Sequence, residues 1–142
     1  MSSLVDKIKA FPQIFHSSRS KMVRVWEAED RLGITFPDAF QAYLCHFGAI
    51  GFRDVEWTGL NVEPDLNVVR ATLGARERDP DFPAGCFVLR PADKEGCTVF
   101  CDEAERIFRW QPEDSETKQK LLCESLEAYF ELCLREAGMI DG

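Results

Sequence analysis

Six cysteines, two histidines and several close-set carboxylates are the residues with chemistry to offer in this 142-residue chain. Cys97-x-x-x-Cys101 invites a metal reading, because zinc takes thiolates about 2.3 Å from the ion. Both residues fall in a segment with strand character, and a strand rises about 3.3 Å per residue. Their Cα atoms would then stand about 13 Å apart, too far for one tetrahedral ion. The chain has no C-x-x-C and no H-x-x-x-H. Cys45 and His46 are the residue types of a thiolate–imidazole dyad. Adjacent residues on a helix point about 100° apart, so the two do not face each other. Cys45, Cys86 and Cys133 each lie beside aromatic or aliphatic residues, the setting of a buried thiol. All six thiols are expected to be reduced.

The carboxylates gather as Asp79 with Asp81, Asp102 with Glu103 and Glu105, and Glu113 with Asp114 and Glu116. Paired acids can act as general acid and base. Crowded among other charges in turn-like segments, their ordinary role is a solvated loop. There is no G-x-S-x-G elbow, and Gly48-x-x-Gly51 has neither a preceding strand nor a following Lys to cradle phosphate. Aromatic residues are not interleaved with basic ones, as an RNA-stacking platform requires. The chain is therefore read as non-enzymatic, with no catalytic residue, no metal and no cofactor.

Charge says more. The net value is −8, and residues 1–24 carry Lys7, Lys9, Arg19, Lys21 and Arg24 against Asp6, leaving −12 on the rest. An acidic body repels nucleic acid and attracts basic partners, although it also serves solubility alone. Trp57, flanked by Asp54, Glu56 and Glu63, would make an apolar anchor with an acidic rim. Trp57 and Trp110 are more often the kind of residue that fills a core than one that anchors an interface. On the first reading the partner-binding set is Trp57 with Asp54, Glu56, Asp79, Asp81, Asp102, Glu103 and Glu105, facing a basic protein. The longest apolar runs are four residues, as in Cys86-Phe87-Val88-Leu89, against roughly 20 for a membrane span. No apolar signal core is evident near the N-terminus. A cytoplasmic protein with no membrane association is expected, as a monomer or weak homodimer.

The elements that would position these groups are legible from periodicity. A short helix opens at Ser3, with Leu4, Ile8 and Phe11 as its stripe, and stops near Pro12. Residues 16–20 read as a loop. A second helix runs to Leu32, with Val25, Ala28 and Leu32 on one face and Trp26 beside it. Gly33 stops it, and Pro37 opens a third helix on which Phe40, Tyr43, Leu44 and Phe47 share a face until Gly48. After a turn over 48–51, residues 52–57 alternate like a strand. A helix is expected over 64–78, with Leu66, Val69 and Leu73 in phase, then a Pro/Gly loop over 79–85. Strands follow at 86–90, 98–101 and 106–110, close enough for a meander, with a polar turn over 111–114. A closing helix takes Leu122, Leu126, Tyr129, Phe130, Cys133, Leu134 and Ala137 as its buried face and ends at Gly138. The pattern is α+β: a single domain of N-terminal helices, a central antiparallel meander and a long C-terminal helix packed on it.

The spacing E-x-x-L-G-x-x-F-P-x-x-F-x-x-Y-L-x-x-F-G, from Glu29 to Gly48, resembles the opening signature of the SUKH superfamily. Glu56-Trp57-Thr58-Gly59-Leu60 resembles the segment that starts that family's sheet. The stretch Val99–Trp110 followed by Ser125-Leu126-Glu127-Ala128-Tyr129-Phe130 resembles its last strand pair and closing helix. The likeness covers roughly residues 22–137 of a domain spanning 1–142 and implies the same α+β architecture. The family includes bacterial immunity proteins, which neutralise toxins, often nucleases, and fungal cell-wall-assembly regulators. The resemblance implies a non-catalytic protein that occludes a basic toxin domain. The fungal relatives imply the alternative, a regulatory adaptor that binds endogenous partners.

Overall fold

The computed structural model describes residues 3–93, 96–111 and 119–141. The helices are α1 (Ser3–Lys9), α2 (Met22–Leu32), α3 (Asp38–Phe47), α4 (Val68–Arg78) and α5 (Leu126–Glu136). The strands are β1 (Phe15–His16), β2 (Ile50–Phe52), β3 (Val55–Glu56), β4 (Cys86–Arg90), β5 (Thr98–Asp102), β6 (Ile107–Trp110) and β7 (Gln119–Cys123). They form two antiparallel sheets, ordered β1-β2-β3 and β4-β5-β6-β7. The fold is α+β with α5 closing it.

The turn between α2 and α3 is built by the residues of the opening signature. Gly33 takes φ 69° and donates its N–H to the Glu29 carbonyl at 2.8 Å. That left-handed step suits Gly, which lacks a Cβ to clash. The Glu29 carboxylate accepts from the Phe36 N–H at 2.7 Å and from Gln41 Nε2 at 2.9 Å, tying the end of α2 to the start of α3. Pro37 stands at the N-cap of α3 rather than inside its first turn. Phe40, Tyr43, Leu44 and Phe47 are all buried, as their spacing requires.

The four-stranded sheet is covered on both faces. Phe87 and Leu89 belong to the main core; Cys86 and Val88, one residue out of phase, join a second core with Ala75, Phe82, Phe100 and Trp110. Burial on both faces explains why residues 86–89 are uniformly apolar instead of alternating. Thr58 joins the two sheets. Its N–H donates to the Leu89 carbonyl and its Oγ1 to the Val88 carbonyl, each at 2.7 Å. Thr72 Oγ1 accepts from the Val88 N–H at 2.9 Å, so two buried threonines occupy the outer edge of β4.

The expected antiparallel meander is present, extended by β7 to four strands, and among the described residues a second, three-stranded sheet accompanies it. Four expectations are corrected. Residues 52–57 are a hairpin rather than a strand: Arg53, at φ 51°, turns the chain so that Phe52 pairs with Val55. Phe15 and His16, the latter expected in a loop, pair with Gly51 and Ile50. The segment 64–78 begins with a 3₁₀ turn, Pro64–Leu66, before α4 starts. A 3₁₀ turn advances about 120° per residue and resets the helical phase. The buried face is therefore Val68, Val69, Thr72 and Ala75, while Leu73 is exposed. At the C-terminal end, Leu122 belongs to β7, and α5 begins only at Leu126. There Ser125 Oγ accepts from the Ala128 N–H at 3.1 Å. The polar turn expected over 111–114 lies, beyond residue 111, outside the described residues.

Candidate protein-binding surface

Trp57 is not an exposed anchor. It is 0% exposed and sits where the three resembling segments meet. Its ring lies 5.6 Å from that of Tyr43, stacks on Tyr129 at 5.8 Å and meets Phe130 edge-on at 5.9 Å. The alternation Asp54, Val55, Glu56, Trp57 explains the misreading: the acids face outward and Val55 and Trp57 face inward. Tyr43 locks the junction. Its hydroxyl donates to the Thr58 carbonyl at 2.7 Å and accepts from the Ile50 N–H at 3.1 Å. Trp110 is also core, packed against Phe82 and Phe100.

The seven acids fall into two groups. Asp54 and Glu56 belong to the β2–β3 hairpin, which Arg53 ties to the last turn of α5 by donating to the Ala137 carbonyl. Asp79 and Asp81 lie in the loop that leads into β4, and Asp102, Glu103 and Glu105 lie where β5 turns into β6. Cys86 pairs with Asp102 in register, so these five gather at one end of the larger sheet. Glu105 Oε2 accepts from the Leu126 N–H at 2.8 Å, at the start of α5. The 11-residue α5 thus separates the hairpin from the Glu105 turn by about 16 Å.

Three of these acids also have structural tasks. Asp102 Oδ1 accepts from the Ala104 and Arg106 N–H groups, and its Oδ2 pairs with Arg106 Nε at 2.9 Å. Glu103 Oε2 accepts from the Thr35 N–H at 2.9 Å, fastening the α2–α3 turn to the β5–β6 turn. Glu105 caps α5. Asp79 Oδ1 accepts from the Asp81 N–H at 3.0 Å, a local loop contact. No sequence pattern announced these partners, since Thr35 and Glu103 are 68 positions apart.

Sequence reasoning passed over Trp26. It is 58% exposed, and Val23 beside it is 51% exposed. Val23, Trp26, Glu27 and Asp30 stand at i, i+3, i+4 and i+7, the face of α2 opposite the buried Val25, Ala28 and Leu32. That spacing was the available signal. An open cleft beside this face is lined by Trp26, Glu29, Asp30, Gly33, Ile34, Thr35 and Glu103, with no cation among them.

Five of the six thiols are shifted away from reactivity. Burial pushes the Cys86 thiol up to about 11, with the nearby Asp102 carboxylate adding to it. Burial likewise raises Cys45, Cys101, Cys123 and Cys133. A thiol protonated at neutral pH is a poor nucleophile and a poor metal ligand. Cys97 accepts from Arg109 Nη2 at 3.3 Å, just ahead of β5. Among the described residues no group of three or more metal-ligating side chains is found. No helix of the described residues is long and apolar enough to cross a membrane.

These shifts predict alkaline destabilisation. An unfolded Cys86 ionises near its ordinary value of 9.0, whereas the folded one holds its proton to about 11. Between those values the folded state binds more protons, so stability falls as pH rises across the window. Cys86 alone contributes a loss of about 2–3 kcal/mol once the window is crossed, and Cys101 and Cys133 act in the same direction. Thermal melts at pH 8 and pH 10.5 check this: Cys86→Ala should show a visibly smaller drop than wild type, and an equal drop removes the attribution.

Comparison with protein-family models and with curated proteins returns no match to this chain.

Proposed function

We propose that this chain is a non-catalytic protein-binding domain of the SUKH type, an immunity protein that neutralises a bacterial toxin in the cytoplasm by covering its active surface. The observation that carries this reading is the convergence of the three resembling segments. Tyr43 from the first, Trp57 from the second, and Tyr129 and Phe130 from the third form one ring cluster. Segments far apart in sequence that meet in one cluster behave as parts of a single architecture, not as separate chance spacings. The net charge of −8 favours a basic partner such as a nuclease domain, because complementary charge speeds encounter. Occlusion asks only for a rigid, complementary face and no bond-making chemistry.

A tagged copy captured from its native lysate tests the proposal. The expected partner is a basic toxin domain whose activity in vitro is abolished by one equivalent of this protein. Capture of a housekeeping assembly with no toxin would instead favour the regulatory adaptor.

A further inference from the structure

Among the described residues nothing covers the outer face of α2, where Val23 and Trp26 stand exposed, and the geometry points to its use as a docking site for an arginine side chain presented by a basic partner protein. The inference rests on the protein-binding reading above and names the surface and the chemistry that the reading leaves open. Trp26 offers an exposed indole face, the best aromatic partner for a cation. The cleft beside it is lined by Glu29, Asp30 and Glu103 and by no cation.

Two of the carboxylates are held through one oxygen each. Glu29 spends Oε2 on both the Phe36 N–H and Gln41 Nε2, without using Oε1. Glu103 spends Oε2 on the Thr35 N–H, which fixes the side chain without using Oε1. Asp30 is exposed on the same helix face as Trp26. Glu27, also on that face, is paired with Arg24 at 3.2 Å. A planar guanidinium can stack on the indole while its edge forks to a carboxylate, which a lysine ammonium cannot do. The stack and the held carboxylate are both in place before binding, so little ordering is lost when a partner arrives.

The test measures binding of a short arginine-rich peptide, and of a lysine peptide of equal length, by calorimetry at fixed ionic strength. Trp26→Ala should weaken the arginine peptide about fivefold, and Asp30→Asn should weaken it about as much. The double variant Glu124→Gln, Asp141→Asn removes more charge from exposed positions flanking α5, off this face, and should change affinity less than twofold. The arginine peptide should also bind more tightly than the lysine peptide. Trp26 and Asp30 are exposed, so their variants should melt with wild type, and unchanged melting shows that binding is read on folded protein. The inference is overturned if the wild type binds neither peptide, if Trp26→Ala stays within twofold, or if the Glu124/Asp141 variant loses as much as Trp26→Ala. It is also overturned if sedimentation shows a dimer that Trp26→Ala dissolves while peptide affinity is unchanged, since the occupant is then a second copy. The two proposals fail separately. Peptide selectivity that persists when no toxin is captured sinks the immunity reading alone. A captured toxin indifferent to Trp26→Ala and Asp30→Asn sinks the docking site alone.

Discussion

Trp57→Ala is expected to destabilise the protein by about 3–5 kcal/mol, the usual cost of emptying a large aromatic site in a core. Domains of this kind hold about 5–15 kcal/mol in total, so the melting temperature should fall by on the order of 10–20 °C. The size follows from the position. Trp57 is fully buried and touches the rings of Tyr43, Tyr129 and Phe130, which come from α3 and α5. Its removal opens a cavity between the helices and the small sheet rather than a dent at the surface. The ring nitrogen adds little to recover, because Trp57 Nε1 meets no nitrogen or oxygen acceptor among the described residues and reaches only the Cys133 thiol, a weak acceptor. Trp57→Phe should therefore keep more than half of the lost stability. A melting temperature for Trp57→Ala within 3 °C of wild type would contradict the core placement. On this account any loss of partner binding by Trp57→Ala tracks unfolding, while the same loss in Trp26→Ala occurs in folded protein.

Much of the fold was legible because it depends on local period and punctuation. Val25, Ala28 and Leu32 face the core, Gly33 and Gly138 take positive φ where their helices end, and the strands at 86–90 and 98–102 pair as a meander. What stayed hidden depends on contacts distant in sequence. Leu122, Leu126 and Phe130 stand at i, i+4 and i+8, so β7 matches helical phase by coincidence; its pairing with β6, from Trp110↔Gln119 to Ile107↔Cys123, decides otherwise. As an edge strand it shows no sharp inside–outside alternation, with Leu121 exposed and Leu122 half-buried. The junction of the two sheets turns on Thr58, a single residue whose bonds reach β4 thirty positions away. The acids proposed for partner binding were visible as charge. Their fastening duties at Thr35, Arg106 and Leu126 were not, because an acceptor for a remote backbone N–H leaves no local pattern. Trp26 was readable in principle: the stripe that places Val25 inward places Trp26 outward.

Gly59→Ala should be among the most disruptive of the small substitutions, costing about 3 kcal/mol or more. A Cβ there would stand 1.8 Å from the Gly48 carbonyl oxygen and 2.8 Å from Ala49 Cβ. The obstacle is backbone, and it is already fixed, because the same Gly48 carbonyl accepts from the Leu60 N–H at 2.9 Å. Gly59 cannot retreat cheaply either: its N–H donates to the Leu66 carbonyl and its carbonyl accepts from the Val68 N–H, both at 2.9 Å. Relieving the clash means overpacking strain of about 1–3 kcal/mol together with a buried backbone group left unpaired, another 1–3 kcal/mol or so. Two other glycines calibrate the effect. Gly33, at φ 69°, has nothing within 4 Å of a Cβ, so Gly33→Ala carries only the left-handed strain of about 1–2 kcal/mol. Gly74 lies within α4 and would meet only the tip of Arg78 at 3.5 Å, so Gly74→Ala should raise stability by about 0.5–1 kcal/mol. Denaturant midpoints should therefore rank Gly74→Ala above wild type, then Gly33→Ala, then Gly59→Ala. If Gly59→Ala melts with or above Gly33→Ala, the close approach of residues 48 and 59 is not what fixes glycine there. The contact between the first two resembling segments would then lose its physical basis, and with it part of the support for the SUKH reading.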